Sequence, residues 1–169
     1  MKLISIRNLT SKKIIEKFDC GINELNTYLK QYSFENDLNN IGKTYLLVDE
    51  DHILGYFTLA NGSITHDDLP IEYRKVPKYP IPITRLARLG VDINYQNKGY
   101  GRKLIQSVIR IVFNTSLSVA SYAIVVDVKP QSKSFYEYMG FEKLNNDLQY
   151  FYSMKKIAKH LQNIKDNKK

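Results

Sequence analysis

The stretch that most limits how this chain can fold is Gln96, Asn97, Lys98, Gly99, Tyr100, Gly101. It joins an apolar run ending at Asp92 to a segment in which Leu104, Ile105, Val108, Ile109 and Val112 recur. Those spacings trace one face of a helix from about Gly99 to Phe113. A strand handing over to an amphipathic helix through two glycines presents unpaired backbone N–H groups at the helix start, where an anion binds. Glycine also leaves no Cβ between that backbone and a phosphate. Two common phosphate loops are excluded: there is no Gly-x4-Gly-Lys-Ser/Thr, and Leu104 stands where a dinucleotide fingerprint requires glycine.

The remaining elements alternate around that junction. Met1 to Asn8 reads as a strand, and Asn23 to Leu38 as a helix with Leu25, Tyr28, Leu29, Tyr32 and Leu38 on its apolar side. Thr44 to Val48 and Ile53 to Ala60 flank the polar turn Asp49 to His52, a hairpin signal. Prolines at 70, 77, 80 and 82 exclude a long helix before a strand from Ile83 to Asp92. Ala123 to Val128 is an apolar strand stopped by Pro130. A short helix ending at Gly140, a strand from Gln149 to Met154 and a lysine-rich helical tail follow. The expectation is one α/β (α+β) domain over residues 1–169, built on a mixed sheet, with a basic C-terminal tail from about residue 157.

Composition enters where it excludes. The single Cys20 cannot form an internal disulfide, and a chain of 169 residues buries enough surface to need no metal or disulfide staple. His52, His66 and His160 form no ligand spacing, so no metal is expected. No apolar run reaches membrane-spanning length and the N-terminus does not read as a signal peptide, so the expected location is cytoplasmic, without membrane association. The net charge of +8 is concentrated: residues 74–102 carry net +6 and residues 155–169 net +5, which points to a polyanionic partner.

Phe135, Tyr136, Glu137, Tyr138, Met139, Gly140, Phe141, read together with the glycine loop, resembles the GNAT acetyltransferase superfamily, whose members carry Q/R-x-x-G-x-G/A after the fourth strand and F-Y-x-x-x-G-F after the fifth. The resemblance spans about residues 1–156. It implies a mixed, mostly antiparallel sheet with helices on both faces and acetyl-CoA held where central strands four and five splay apart. It places the pyrophosphate on the amides of Asn97, Lys98, Gly99, Tyr100, Gly101 and Arg102, with Lys98 and Arg102 adding charge. It assigns Leu89, Gly90 and Val91 to the pantetheine arm and the Val91 N–H to the thioester carbonyl. Tyr136 matches the residue that protonates the departing thiolate. Lys129 stands where members often carry Asn or Asp.

A narrower resemblance runs through Phe18, Asp19, Cys20, Gly21, Leu25, Asn26, Tyr28 and Leu29, then Gly55, Tyr56, Leu59 and Ala60, then Arg88, Leu89, Val91 and Asp92. These are similar to bacterial toxins of toxin-antitoxin pairs that acetylate the α-amino group of aminoacyl-tRNA. That implies aminoacyl-tRNA as substrate, with Lys78, Arg85 and Arg88 as candidate phosphate contacts, and a ribbon-helix-helix antitoxin as partner. A homodimer is left open. So are an enzyme acting on a small amine or a protein N-terminus, and a catalytically silent tRNA- or CoA-binding module. Cys20 is expected to be a structural small residue.

Overall fold

The computed structural model describes residues 1–166. Lys168 and Lys169, at the end of the expected basic tail, lie outside the described residues. Among the described residues seven strands, β1 (Lys2–Ser5), β2 (Lys43–Asp49), β3 (His52–Ile64), β4 (Ile81–Val91), β5 (Ala123–Asp127), β6 (Glu142–Lys143) and β7 (Gln149–Ser153), hydrogen-bond in the order β1-β2-β3-β4-β5-β7-β6, mostly antiparallel with β4 and β5 parallel. Two compact units share the chain, Met1–Ala60 with Leu86–Val108, and Asn61–Arg85 with the chain from Ile109 onward.

In the first unit the expected hairpin forms from β2 (Lys43–Asp49) and β3 (His52–Ile64), in the register Tyr45↔Phe57 and Leu46↔Tyr56. Glu50 turns it with φ of 50°. β1 (Lys2–Ser5) pairs antiparallel with β2 and ends in a 3-10 turn at Ile6–Asn8, so the first strand is shorter than its alternation suggests. A short α1 (Lys13–Glu16), not expected from the sequence, follows.

The helix expected over 23–38 is one helical run with a defect. α2 (Asn23–Thr27) passes through a π-helical turn at Tyr28–Tyr32 into α3 (Ser33–Leu38), and the Ser33 N–H reaches back five residues to the Tyr28 carbonyl. That wide turn rotates the following residues relative to a 3.6-residue period. Tyr28 and Leu29 are buried as expected, but Tyr32 and Leu38 are 53% and 51% exposed, while Ser33 and Asp37 are buried in their place. Asp37 is tolerated there because it accepts the Thr44 N–H at 2.9 Å and pairs with Arg7 and Lys43. Burial pushes its carboxyl up; the Thr44 N–H, Arg7 and Lys43 outweigh that and hold it below its ordinary value.

In the second unit Ile64, Leu69, Ile81, Ile83, Ala123, Val125, Leu144 and Phe151 form the core. The proline segment makes two 3-10 turns, at His66–Asp68 and Ile71–Tyr73, before β4 (Ile81–Val91), which starts two residues earlier than expected. Pro82 sits at its second position, and its carbonyl accepts the Tyr122 N–H at 2.8 Å. β5 (Ala123–Asp127) pairs antiparallel with β7 (Gln149–Ser153), with the two-residue β6 (Glu142–Lys143) beyond it. α4 (Tyr100–Ser116) and α5 (Lys133–Tyr138) fall where the periodicity puts them. The lysine-rich end is α6 (Met154–Asp166), which buries Ile157 and exposes Lys155 and Lys159. Among the described residues no helix is long and apolar enough to cross a membrane, and no three His, Cys, Asp or Glu gather as metal ligands.

Candidate functional site

The glycine loop of the first unit has the geometry its sequence suggests. Asn97 and Gly99 adopt φ of 58° and 83°, with Lys98 between them outside the left-handed region. Alternating handedness of this kind curves successive N–H groups into an anion-binding concavity. The first intrahelical bond of α4 runs from the Lys103 N–H to the Gly99 carbonyl at 3.2 Å. The N–H groups of Tyr100, Gly101 and Arg102 therefore have no acceptor inside the helix. A Cβ built on Gly99 meets nothing within 4 Å, so the space before the loop is open. A pyrophosphate fits this cradle: bare amides, the positive end of a 17-residue helix, and no side chain in the way. Lys98 and Arg102 are exposed; Lys98 donates to the Asn94 carbonyl at 2.9 Å and lies over the Tyr95 ring.

What holds the loop was not foreseen. Asp92, buried at the end of β4, accepts the N–H groups of Asp19 at 3.1 Å and Asn94 at 3.0 Å. The Gln96 side chain donates to the carbonyls of Cys20 and Val91, both at 3.0 Å. Asn26 accepts the Cys20 N–H at 2.9 Å and donates to Asp19 at 2.7 Å. The Gly21 N–H and Asn26 hold the Asp19 carboxyl below its usual value. All four side chains belong to stretches singled out by resemblance, which was the available signal; their task is mutual bracing. Cys20 is buried with its thiol pushed up by burial, consistent with a structural residue.

Leu89, Gly90 and Val91 form the last residues of β4. Gly90 is confined: a Cβ there would lie 3.1 Å from Tyr56 Cε1 and 3.5 Å from Cys20 Sγ. The Tyr56 ring cannot easily retreat, since its hydroxyl donates to the Leu25 carbonyl at 2.8 Å.

In the second unit, Tyr136 lies on α5, only 7% exposed, with the rings of Phe135 and Phe141 edge-on at 5.2 and 5.5 Å. Gly140 ends the turn at φ of 92°, and the Phe141 N–H bonds back to the Tyr136 carbonyl at 3.0 Å. Burial pushes the Tyr136 phenol up to about 12, so it stays protonated at any physiological pH.

The three basic residues proposed from sequence are held differently. Lys78 is exposed, Arg85 is paired with Asp127 at 2.7 Å, and the Arg88 guanidinium stacks 3.6 Å over the buried Tyr28 ring.

Comparison with known proteins agrees with this geometry. The chain is 26% identical over 137 residues, 80% of its length and 82% of the relative's, to a protein of Mycobacterium tuberculosis (strain ATCC 25618 / H37Rv) named tRNA-acetylating toxin. It is similar to the structure of a Tyr-to-Phe mutant of KacT, with 29% identity and a TM-score of 0.83 over 94% of this chain and 99% of that one. It is similar also to AtaT complexed with acetyl-methionyl-tRNAfMet, with 26% identity and a TM-score of 0.84 over 95% of this chain and 98% of that one. Residues 13–153, which include the braced loop, β4 and the Tyr136 turn, match the acetyltransferase (GNAT) domain, and the chain belongs to that family.

Proposed function

We propose that this N-acetyltransferase is a single-domain toxin that transfers acetyl from acetyl-CoA to the α-amino group of aminoacyl-tRNA and thereby blocks translation in the cytoplasm. The observation that carries the choice of acceptor is the likeness, over four-fifths of the chain, to a tRNA-acetylating toxin. Acetyl-CoA supplies an acyl group activated as a thioester. The amides of residues 97–102 hold its phosphates, Leu89 and Gly90 line its pantetheine arm, and the Val91 N–H donates to the carbonyl oxygen where negative charge develops. Tyr136 delivers its hydroxyl proton to the leaving sulfur.

The chemistry of the acceptor supports the reading. An α-amino group has a reference pKa near 8, so about a tenth is neutral at pH 7 and can attack unaided, whereas a lysine near 10.4 would need a base. Lys78, Arg85 and Arg88 serve as contacts to tRNA phosphates. A ribbon-helix-helix antitoxin encoded beside the enzyme would keep it in check. Incubating the protein with charged total tRNA and labelled acetyl-CoA should label the aminoacyl group. Label found only on free amines or protein N-termini would reject the tRNA reading. Expression in bacteria should arrest growth, and the Tyr136→Phe form should be tolerated.

A further inference from the structure

Gln96 opens the glycine loop, and its side chain has no donor left for a ligand. Nε2 lies 3.0 Å from both the Cys20 and the Val91 carbonyl oxygens. A carboxamide has two N–H donors and one acceptor oxygen. With both donors on backbone carbonyls, what remains is an acceptor, which a phosphate oxygen repels. The two carbonyls belong to segments far apart in sequence: Val91 ends β4, and Cys20 sits in the turn after Phe18.

That turn is fixed from its other side. Asp19 Oδ1 accepts the Gly21 N–H at 2.8 Å and Asn26 Nδ2 at 2.7 Å, while Asn26 Oδ1 takes the Cys20 N–H at 2.9 Å. The Ile93 N–H reaches the Asp19 carbonyl at 2.7 Å, and Asp92 accepts the Asp19 N–H. The turn and residues 91–96 therefore form one hydrogen-bonded body. Val91 and the loop amides both leave from it.

We propose that Gln96 is a positioning residue for the acetyl donor, acting through the Cys20 and Val91 carbonyls and not by touching the pyrophosphate. Gln96 fixes the Val91 peptide and the exit of the loop together, with Asn26 as the opposite jaw of the same brace. This rests on the loop being the acetyl-CoA site.

The test compares two donors, acetyl-CoA and S-acetylpantetheine, which lacks the pyrophosphate. Losing two hydrogen bonds at the weaker end of their usual net strength corresponds to about a tenfold effect. Gln96→Ala should lower kcat/KM about tenfold with both donors, and Asn26→Ala should do the same. The double variant should fall well short of the product of the singles, because both open one brace. Thermal melting checks that each variant is folded, and Asn26→Ala carries the test if Gln96→Ala is not. Either of two results overturns the proposal: a loss confined to acetyl-CoA, which would make Gln96 a phosphate ligand, or full multiplicativity in the double variant, which would mean that Gln96 and Asn26 act independently. Unchanged CoA affinity in Gly99→Val would instead overturn the assignment of the loop itself.

Discussion

Replacing Tyr136 by Phe removes one oxygen and leaves the ring in place, because Phe135 and Phe141 hold it by edge contacts at 5.2 and 5.5 Å. Folding stability should change by less than about 1 kcal/mol. The effect on turnover follows from the acidity. The phenol is raised to about 12 by burial, whereas a free thiol titrates near 8.5. Complete proton transfer to a thiolate therefore lies uphill by roughly 3.5 units, about 5 kcal/mol. The phenol acts as a donor whose proton moves as the C–S bond opens, which places its contribution at the low end of the general-acid range, about 10²-fold.

The expected outcome is thus a kcat lower by about 10²-fold, roughly 2.7 kcal/mol in barrier, with CoA affinity within about twofold of wild type. Single-turnover release of thiol measures the first, and calorimetry with CoA the second. An acetyl donor with an aryl thiol, a better leaving group, should lose far less from the substitution. A kcat loss below about threefold with acetyl-CoA would refute the acid role. A comparable loss on both donors would mean that the hydroxyl orients and does not protonate.

Gly55→Ala should destabilise the fold by about 1–3 kcal/mol or more in denaturant titration, since its Cβ would lie 2.7 Å from the Gly90 carbonyl oxygen and 2.8 Å from Leu104 Cδ1. The raised Tyr136 pKa predicts stability that is complete below the unfolded value near 10 and lost as pH rises through about 12; Tyr136→Phe should lessen the alkaline fall in melting temperature, and an identical fall would contradict the burial argument. Lys78→Ala and Arg88→Ala should each flatten the dependence of log KM for aminoacyl-tRNA on log salt by about 0.7–0.9. Arg85→Ala should flatten it less, because Asp127 already neutralises Arg85; equal flattening by all three would contradict the pairing.

The sequence made the hairpin, the helix after the glycine loop and the strand at 123–128 legible because each rests on a local period or turn. Its errors came where contacts distant in sequence decide. Nothing local announces the π turn at Tyr28–Tyr32, and its consequence, Asp37 buried and Leu38 exposed, depends on Arg7 and Thr44 supplying partners. β6 is two residues long and exists only because β7 offers it an edge. The site shows the same division. Gly99 and Tyr136 could be named from motifs, whereas the task of Gln96 could not, since it depends on where the Cys20 carbonyl ends up.

The basic charge divides on similar grounds, and the division decides what each residue can do for a polyanion. Arg7 and Lys43 serve Asp37, Arg74 donates to the Leu69 and Asp67 carbonyls, and Lys156 pairs with Glu142. Lys75, Lys78, Lys155 and Lys159 are exposed, with no ion pair among the described residues. Long-range steering depends on the summed charge, so Arg85→Ala and Lys78→Ala each remove one positive charge and should slow tRNA association similarly. Contact energy depends on what a cation gives up to reach a phosphate, and there the two differ: Lys78 gives up only water, while Arg85 must leave Asp127 at 2.7 Å. Dissociation of tRNA should therefore quicken more for Lys78→Ala than for Arg85→Ala although their association rates stay matched.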